Sequence, residues 1–477
     1  MAERNAVDRM RAIFAKDNEQ EYAPIHSGSE SVDSLIRRPV LSIDDEDDGV
    51  GAGQVAAPAS PFSWIEYFVF MLLGVAMLWA WNMFLAAAPY FQTRFADNES
   101  ILASFQSAIT SVACVTNLGS MTILSNIQKK ASYPHRILSA LVINIVVFTL
   151  LAISTSHFRD ISSAGYLVFT LIMVFCTSTA TGLCQNGAFA FASGFGQPEY
   201  INAILTGNAV AGVLPSVAQI VSVLAVPAPN AWDTTAELDQ VSSKENTTSA
   251  FAYFLTATVV SGLTIFAFVP LVRKHNRLME ASMMNSMTSV EEAEQASRKV
   301  VSMWTLWKKT RWLATSLFMC FAVTMFFPVL TQKVVSVVPE DRAPRFLRAS
   351  AFIPIGFLTW NCGDLAGRLI TLTPFRMRQH PLVLFILSIL RIGFVPMYLL
   401  CNIQGHGAVI KSDVFYLFVL QFGYGATNGW LASSCMMQAE DYVEEGEREA
   451  AGGFLVLMLV AGLTTGSLLS FSVAGIS

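Results

Sequence analysis

Long apolar stretches recur from about residue 64 to the end of the chain, and they limit its fold more than any other feature. An α-helix needs roughly 20 apolar residues to cross a hydrocarbon core of about 30 Å, and each stretch is long enough. Because lipid offers no hydrogen-bond partners, the backbone of each stretch must satisfy itself, as an α-helix does. We therefore predict an all-α polytopic membrane protein with eleven transmembrane helices. The stretches run over 64–90, 101–126, 137–156, 164–189, 200–224, 250–272, 313–332, 348–373, 381–402, 412–437 and 452–477.

The scarcity of charge excludes a soluble enzyme. Charged residues make up 14% of the chain and hydrophobic residues 53%, against about 25% and about 45 to 50% in soluble domains. Of the 65 charged residues, 18 lie in 1–50 and 12 in 273–311, so the remainder has too few to cover a water-facing surface. The sequence contains no nucleotide-binding P-loop and no paired nucleophile and base. We therefore expect no enzyme, no cofactor and no ATP-driven pump.

Neither a metal nor a nucleic acid is expected as a partner. The net charge of −5 is small and unevenly distributed, which gives no reason to expect nucleic-acid binding. All seven cysteines lie inside apolar stretches without a C-x-x-C pair. We interpret them as small buried hydrophobic residues rather than metal ligands or disulfides.

Polar segments divide the chain into four predicted parts. Residues 1–61 are polar and carry an acidic run, which predicts a disordered cytosolic tail. Residues 62–273 form a predicted six-helix bundle, and 312–477 form a five-helix bundle. Between them, 274–311 is a cytosolic linker whose capping-box pattern at Ser289 predicts an interfacial helix. A regulatory or partner-binding element is the alternative for this linker.

The distribution of Lys and Arg predicts the orientation. With the N-terminus in the cytosol, 20 of these residues fall on the cytosolic side and 8 on the opposite side. Positive charge is retained on the cytosolic side of membrane proteins, so the N-terminus is predicted to be cytosolic. The glycosylation sequons at Asn98 and Asn246 both fall on the opposite side, which is consistent.

Ionisable residues inside the apolar stretches are few and mark the candidate site. Asp364 and Arg368 are four residues apart, which places them on one helix face where they can pair. Asn361 lies one turn earlier on the same face. The pair either fixes helix packing, or the carboxylate accepts hydrogen bonds from substrate hydroxyls while Arg368 keeps it charged. Arg391, alone in its stretch, is expected to snorkel or to pair structurally.

Further polar side chains lie in other apolar stretches. Trp81 and Asn82 are in the first, Gln185 and Asn186 in the fourth, and Asn428 in the tenth. An amide presents both a donor and an acceptor, which suits the edge of a nucleobase. It suits a hydrogen bond between helices in lipid equally well, so both interpretations stay open. Glycines in the fifth, tenth and eleventh stretches predict close helix packing.

Several motifs, taken together and in order, resemble the equilibrative nucleoside transporter family. The resemblance covers essentially Trp64 to Phe471. The motifs are Trp81-Asn-Met-Phe with Tyr90-Phe91, Gly207-Asn-Ala-Val-Ala-Gly212, Asn361-x-x-Asp364-x-x-Gly367-Arg368, Arg391-x-x-Phe-Val-Pro with Leu400-Cys-Asn402, Thr427-Asn-Gly429 and Glu447-Arg-Glu-Ala-Ala-Gly452.

The resemblance implies a six-plus-five bundle similar to the major-facilitator architecture. It implies a carrier that moves nucleosides by alternating access, without coupling to ATP or an ion gradient, with nucleobases as further candidate substrates. Gln185 would meet the nucleobase, and Asp364 and Arg368 would bind the ribose hydroxyls. The expected partners are thus a nucleoside and the lipid bilayer.

The remaining implied roles concern the walls of the binding cavity and the location in the cell. Trp81 would form an aromatic wall, and Asn82 and Asn361 would shape the cavity. The pattern Tyr22-Ala-Pro-Ile25 is typical of sorting signals, so a vacuolar or lysosomal membrane is expected. The alternatives are a major-facilitator carrier of sugars or polyols, and a membrane receptor or scaffold that transports nothing.

Overall fold

The computed structural model of the protein describes residues 62–127, 132–158, 161–225, 235–282, 301–339, 342–373 and 380–474. The predicted tail, its sorting pattern and the capping box of the linker lie outside these residues. The described secondary structure is helical, apart from an isolated antiparallel bridge between Val334 and Ile403.

Seven α-helices are described up to Ser282, and the last of them extends beyond residue 273 into the predicted linker. Asn98 and Ser162 cap two of them: their side chains accept from the backbone N–H groups of Ile101 and Gly165. The first predicted stretch is broken at Ala87, and Pro89 is the second residue of the next helix. The helices are α1 Trp64–Ala86, α2 Ala88–Phe95, α3 Glu99–Asn126, α4 Tyr133–His157, α5 Ser163–Gly194, α6 Pro198–Ala225 and α7 Thr235–Ser282.

Seven further α-helices are described from Met303, within the predicted linker, to Ala474. The first begins at Met303, about ten residues before the predicted stretch, and it bends at Thr310, whose φ of −113° and ψ of 15° are not helical. A π-helix, Phe415–Phe422, precedes the helix that carries Asn428. The helices are α8 Met303–Thr324, α9 Phe326–Thr331, α10 Ala349–Ile370, α11 Pro381–Leu390, α12 Phe394–Met397, α13 Gly423–Gln438 and α14 Arg448–Ala474.

The predicted all-α polytopic class is confirmed, whereas the count of eleven spans stays a prediction. Of the predicted stretches, 348–373 corresponds to α10, whose three polar site residues lower its hydropathy, and 412–437 is divided between the π-helix and α13. Within the described residues, nine helices are long and apolar enough to cross a membrane: Trp64–Phe95, Ser104–Asn126, Tyr133–His157, Ser163–Gly194, Pro198–Val221, Asn246–Arg277, Met303–Thr331, Pro381–Leu400 and Glu445–Ser470.

The apolar side chains separate into an interior and a lipid-facing surface. The largest buried cluster joins residues from both predicted bundles, for example Phe189 and Leu455. On the outside, large apolar side chains stay exposed, among them Ile65 at 77% and Phe266 at 81%. A surface of this kind is stable in hydrocarbon, where apolar exposure carries no cost.

Helices α10 and α13 approach closely because glycines line their contact. A Cβ atom on Gly425 or Gly429 of α13 would overlap a backbone carbonyl oxygen of α10. In the reverse direction, a Cβ on Gly367 would overlap the carbonyl oxygen of Ala426 on α13, and a Cβ on Gly363 would overlap that of Phe422, the last residue of the preceding π-helix. Because backbone cannot move aside as a flexible side chain can, only glycine fits at these four positions. The close packing predicted from the glycines is thus present.

Gly429→Ala should therefore destabilise the protein, by about 1 to 3 kcal/mol, since the added methyl group forces α10 and α13 apart. Gly423→Ala is the matched control on the same helix. Its Cβ would meet nothing nearer than the ring of Phe394, at 3.8 Å. Both changes add the same intrinsic helix propensity. Thermal unfolding of the purified variants should separate them, and equal melting temperatures would contradict the packing argument.

Candidate functional site

An ion pair between Asp364 and Arg368 lies at the centre of the candidate site. Arg368 Nε donates to Asp364 Oδ2 at 2.8 Å, and Arg368 Nη2 donates to Oδ1 at 3.3 Å. Both residues are buried, with exposures of 3% and 4%. The pairing expected from the four-residue spacing is thus present on one face of α10.

The pair has one further partner and leaves some of its hydrogen-bonding capacity unused. Asn428 Nδ2, on α13, donates to Asp364 Oδ1 at 2.7 Å. A carboxylate has about four acceptor positions, so three donors leave one position, on Oδ2, without a donor. Arg368 Nη1 is buried and has no hydrogen-bond partner among the described residues. The pair can therefore still accept one hydrogen bond and donate others.

Arg391 is buried between α8 and α13 and does not snorkel. Its exposure is 2%, and its guanidinium lies over the ring of Tyr424, 4.9 Å from the ring centroid. Arg391 Nη1 donates to the carbonyl oxygen of Cys320 at 2.7 Å, and Nη2 donates to the Thr324 hydroxyl at 3.2 Å. The expected snorkelling is wrong, because polar groups inside the bundle bind the side chain. The structural role expected as the alternative is met by hydrogen bonds to neutral groups, not by an ion pair.

Two of the predicted site amides meet at the same turn of α6. Asn82 Nδ2, from α1, donates to the carbonyl oxygen of Ala211 at 2.7 Å. Asn361, from α10, lies against the neighbouring Gly212, where a Cβ atom would overlap its Oδ1. Its Nδ2 donates to the carbonyl oxygen of Phe357 in its own helix at 2.9 Å. Helix α6 thus brings residues from the two predicted bundles together.

The two neighbouring amides of α5 have different surroundings. Asn186 is buried, accepts a hydrogen bond from Arg136 and donates to Ser125 Oγ at 3.5 Å, so it connects helices. Gln185 is half-buried, and its Oε1 has no hydrogen-bond partner among the described residues. Buried polar oxygens are nearly always paired in folded proteins, so an unpaired one indicates a position where a ligand or water bonds.

The remaining predicted site residue, Trp81, packs half-buried against a cluster that includes Met83 and Phe84. Among the described residues, no hydrogen bond joins Trp81 or Gln185 to the ion pair on α10. The structure therefore brings Asn82 and Asn361 to α6 and keeps Asn361, Asp364 and Arg368 on one helix.

Other polar atoms without partners were not identified from the sequence. They include Asn117 Oδ1 on α3, Asn208 Oδ1 on α6 and Trp360 Nε1 on α10. Asn117 lies beside Gly182, one turn from Gln185 on the facing helix α5. Each amide is a polar residue in an apolar stretch, so the criterion that selected Gln185 could have selected both. Asn208 also lies inside the Gly207-to-Gly212 motif.

The two predicted bundles also touch at the ends of helices that the charge bias assigns to the cytosol. A Cβ on Gly452, at the start of α14, would overlap Ser193 Oγ at the end of α5. Asn202 Nδ2, near the start of α6, donates to the carbonyl oxygen of Arg368 at 3.4 Å.

The Asp364–Arg368 pair, in which the two charges balance, has the chemistry of a site for a neutral polar molecule. Within the described part of the chain, no group of three His, Cys, Asp or Glu residues could hold a metal ion.

Comparison with protein families matches residues 171–474 to the model described as "Nucleoside transporter". Nucleoside transporter FUN26 of Saccharomyces cerevisiae is 28% identical over 445 residues, which cover 85% of this chain and 83% of that protein. Equilibrative nucleoside transporter 1 of Homo sapiens is 26% identical over 462 residues, with 85% and 96% covered. Equilibrative nucleoside transporter 3 of Rattus norvegicus is 23% identical over 433 residues, with 84% and 87% covered.

Comparison with solved structures finds transporters of the major facilitator superfamily. The proton:xylose symporter XylE bound to 6-bromo-6-deoxy-D-glucose has a TM-score of 0.57 and 12% identity, over 86% of this chain and 87% of that chain. The transporter FucP in the outward conformation has a TM-score of 0.50 and 13% identity, over 86% and 97%. At such low identity the likeness establishes the fold: this chain has the major-facilitator architecture.

Proposed function

Because this chain belongs to the nucleoside transporter family, we propose that it carries nucleosides across a membrane, by alternating access and without an energy source. The family is one of transporters rather than enzymes. A passive carrier of this fold needs a polar site inside the membrane and two halves that can separate on either side of it. The six-plus-five division at the linker, with boundaries at 273 and 312, is part of this proposal.

The observation that carries the proposal is the unused hydrogen-bonding capacity of the Asp364–Arg368 pair. A ribose presents two neighbouring hydroxyl groups, each of which can donate and accept. The open acceptor position on Asp364 Oδ2 and the free Nη1 of Arg368 complement such a diol. An ion pair that only fixed packing would be expected to satisfy its donors within the protein.

The nucleobase is proposed to bind toward the predicted six-helix bundle. Gln185 carries an unpaired amide oxygen, which can accept from a base edge. Trp81 supplies an aromatic face, and Asn82 and Asn361 shape the site through their contacts with α6. Nucleobases without ribose are further candidate substrates, because only part of this site addresses the sugar.

Two alternatives are less well supported. A carrier of sugars or polyols shares the fold, and the xylose and fucose carriers found by comparison resemble this chain in fold alone. A scaffold without transport activity has no need for buried polar atoms without partners, which this protein has in α3, α5, α6 and α10. The family assignment favours nucleosides over both alternatives.

The location in the cell is also proposed from the sequence. The Lys and Arg bias supports a cytosolic N-terminus, and Tyr22-Ala-Pro-Ile25 supports a vacuolar or lysosomal membrane. Imaging of the tagged protein beside a marker of that compartment tests the location, and a signal at the plasma membrane alone would contradict it.

Uptake into proteoliposomes tests the proposed function. Radiolabelled uridine and adenosine should enter until the inside and outside concentrations are equal, because a passive carrier only lowers the barrier. Glucose is the comparison substrate and should stay outside. Uptake of glucose alone would establish the sugar carrier, and no uptake of any of the three would favour the scaffold. Accumulation of uridine under an imposed proton gradient would contradict passive transport.

Asp364→Asn should lower the affinity for uridine much more than the affinity for uracil, because only the nucleoside presents hydroxyls to the carboxylate. A charge-assisted hydrogen bond contributes about 1.5 to 3 kcal/mol, which corresponds to roughly a ten- to hundredfold loss. Binding of both ligands to the purified variant measures the difference. An equal loss for both would assign Asp364 to folding.

Gln185→Leu should weaken nucleoside binding by about 1 to 3 kcal/mol, or roughly five- to a hundredfold, since the base edge then stays unpaired. The loss should differ among uridine, adenosine and inosine, while the yield of folded protein should stay near normal. Asn186→Leu is the control one residue away. It breaks the contacts with Arg136 and Ser125, so it should reduce folded protein and affect all substrates alike. Unchanged affinities in Gln185→Leu would remove Gln185 from the site.

A further inference from the structure

Arg391 is a buried cation that no carboxylate pairs with among the described residues. Besides its contacts with Cys320 and Tyr424, its Nε donates to Thr427 Oγ1 at 3.2 Å and its Nη2 to Thr324 Oγ1 at 3.2 Å. All of these acceptors are neutral. A buried charge is costly unless it is compensated. The electrostatic effect of this guanidinium therefore concerns groups beyond its neutral hydrogen-bond partners.

The orientation of Asn428 follows from the chemistry of its partners. A carboxylate can only accept, so the amide nitrogen of Asn428 must face Asp364, 2.7 Å away. The amide oxygen then faces α8, where the Cys320 thiol donates to it at 3.3 Å and the Thr324 hydroxyl lies 2.7 Å away. The single hydroxyl proton of Thr324 has two acceptors within reach, and the contact with Asn428 is shorter than that with the carbonyl oxygen of Cys320, at 2.8 Å. Thr324 in turn accepts from Arg391.

With the Thr324 hydroxyl donating to Asn428, these contacts form a chain of hydrogen bonds in which every donor points toward Asp364. It runs from Arg391 to Thr324, from Thr324 to Asn428 and from Asn428 to Asp364. All four residues are at least nine-tenths buried, with exposures of 2%, 8%, 1% and 3%. Cys320 provides a second, longer connection, since its Sγ accepts from Arg391 Nη1 at 2.9 Å and donates to Asn428 Oδ1 at 3.3 Å. Hydrogen bonds in such a series polarise one another, so the positive charge at one end strengthens the donation at the other.

We propose that Arg391 is a positioning residue for the substrate site: it holds Asp364 in place through Thr324 and Asn428. The chain occupies Oδ1 of Asp364 and aligns the carboxylate, so that the open position on Oδ2 is presented to the ligand. Arg368 holds the same carboxylate from its own helix, so two guanidiniums act on one acid. The proposal rests on the role of Asp364 in binding ribose, given above.

The charged and titratable groups around Asp364 are few. Arg368 contributes from α10, Cys320 from α8, Tyr424 from α13 and Arg391 from the 3-10 turn after α11. No second carboxylate is paired with either arginine in the described part of the chain. The electrostatic potential at Asp364 therefore depends on Arg368 and Arg391. Hydrogen bonds through Thr324 and Asn428 connect the acid to Arg391.

Two threonines that both bond to Arg391 allow a matched test. Thr324→Val removes the hydroxyl that connects Arg391 to Asn428 and leaves only the longer contact through the Cys320 thiol, and the side-chain volume hardly changes. Thr427→Val removes a hydroxyl that also accepts from Arg391, but Thr427 Oγ1 donates to the backbone carbonyl of Tyr424 and not to Asn428. The two variants thus remove equivalent contacts, one on the chain and one beside it.

Dissociation constants for uridine and uracil should be measured on the purified full-length variants. Thr324→Val should weaken uridine binding by about three- to tenfold, and its uracil affinity should be that of the unmodified protein. Thr427→Val should leave both affinities unchanged, and Thr324→Ser, which keeps the hydroxyl, should restore uridine binding. If Thr324→Val is poorly folded, Arg391→Lys takes its place, because lysine keeps the charge but loses the planar fork.

The double variant Asp364→Asn with Thr324→Val separates this inference from the proposed function. If the chain acts through Asp364, the second change should add no further loss of uridine affinity to that of Asp364→Asn alone. Additive losses, equal effects of the two valine variants, or a parallel loss for uracil would overturn the positioning role. Unmodified affinity in Asp364→Asn itself would instead overturn the ribose site.

Discussion

A carboxylate and two guanidiniums inside a membrane-spanning bundle are stable only if the protein compensates them. Asp364 and Arg368 compensate each other across one turn of α10, and Asn428 supplies a third hydrogen bond to the acid. This requirement explains why three other elements, α8, α13 and the turn that carries Arg391, present polar atoms to one point. Two further buried carboxylates among the described residues, Glu66 and Glu447, are compensated in the same way, by Lys274 and Lys309.

The close contact between α10 and α13 makes this compensation possible. Asparagine has a short side chain, and Asn428 reaches Asp364 only because the neighbouring Gly429 lets the two backbones approach. The glycines therefore have a chemical consequence as well as a packing one: they set the distance over which the amide donates. A wider separation of α10 and α13 would leave Asp364 Oδ1 without its hydrogen bond from Asn428.

The amides in the membrane region differ in function because they differ in partners. Asn82, Asn186 and Asn428 each bond to another helix, so their donors and acceptors contribute to assembly. Gln185 keeps an unpaired oxygen one residue away from Asn186. A rotation of about 100° per residue turns adjacent side chains of a helix in different directions, so one can join helices while the amide oxygen of the next stays without a partner among the described residues.

The sequence by itself determined the features that depend on local spacing and composition. The apolar stretches predict the helical membrane class, and the four-residue spacing predicts the pairing of Asp364 with Arg368, because the helix repeat places such residues on one face. The tertiary structure decided the features that depend on helices far apart in the chain. Arg391, Thr324 and Asn428 come from separate elements, and their order along one chain of hydrogen bonds depends on how those helices pack. The local periodicity of the sequence carries no information about such contacts. The sequence could therefore identify each amide and arginine as a polar residue in an apolar stretch but could not assign its partners.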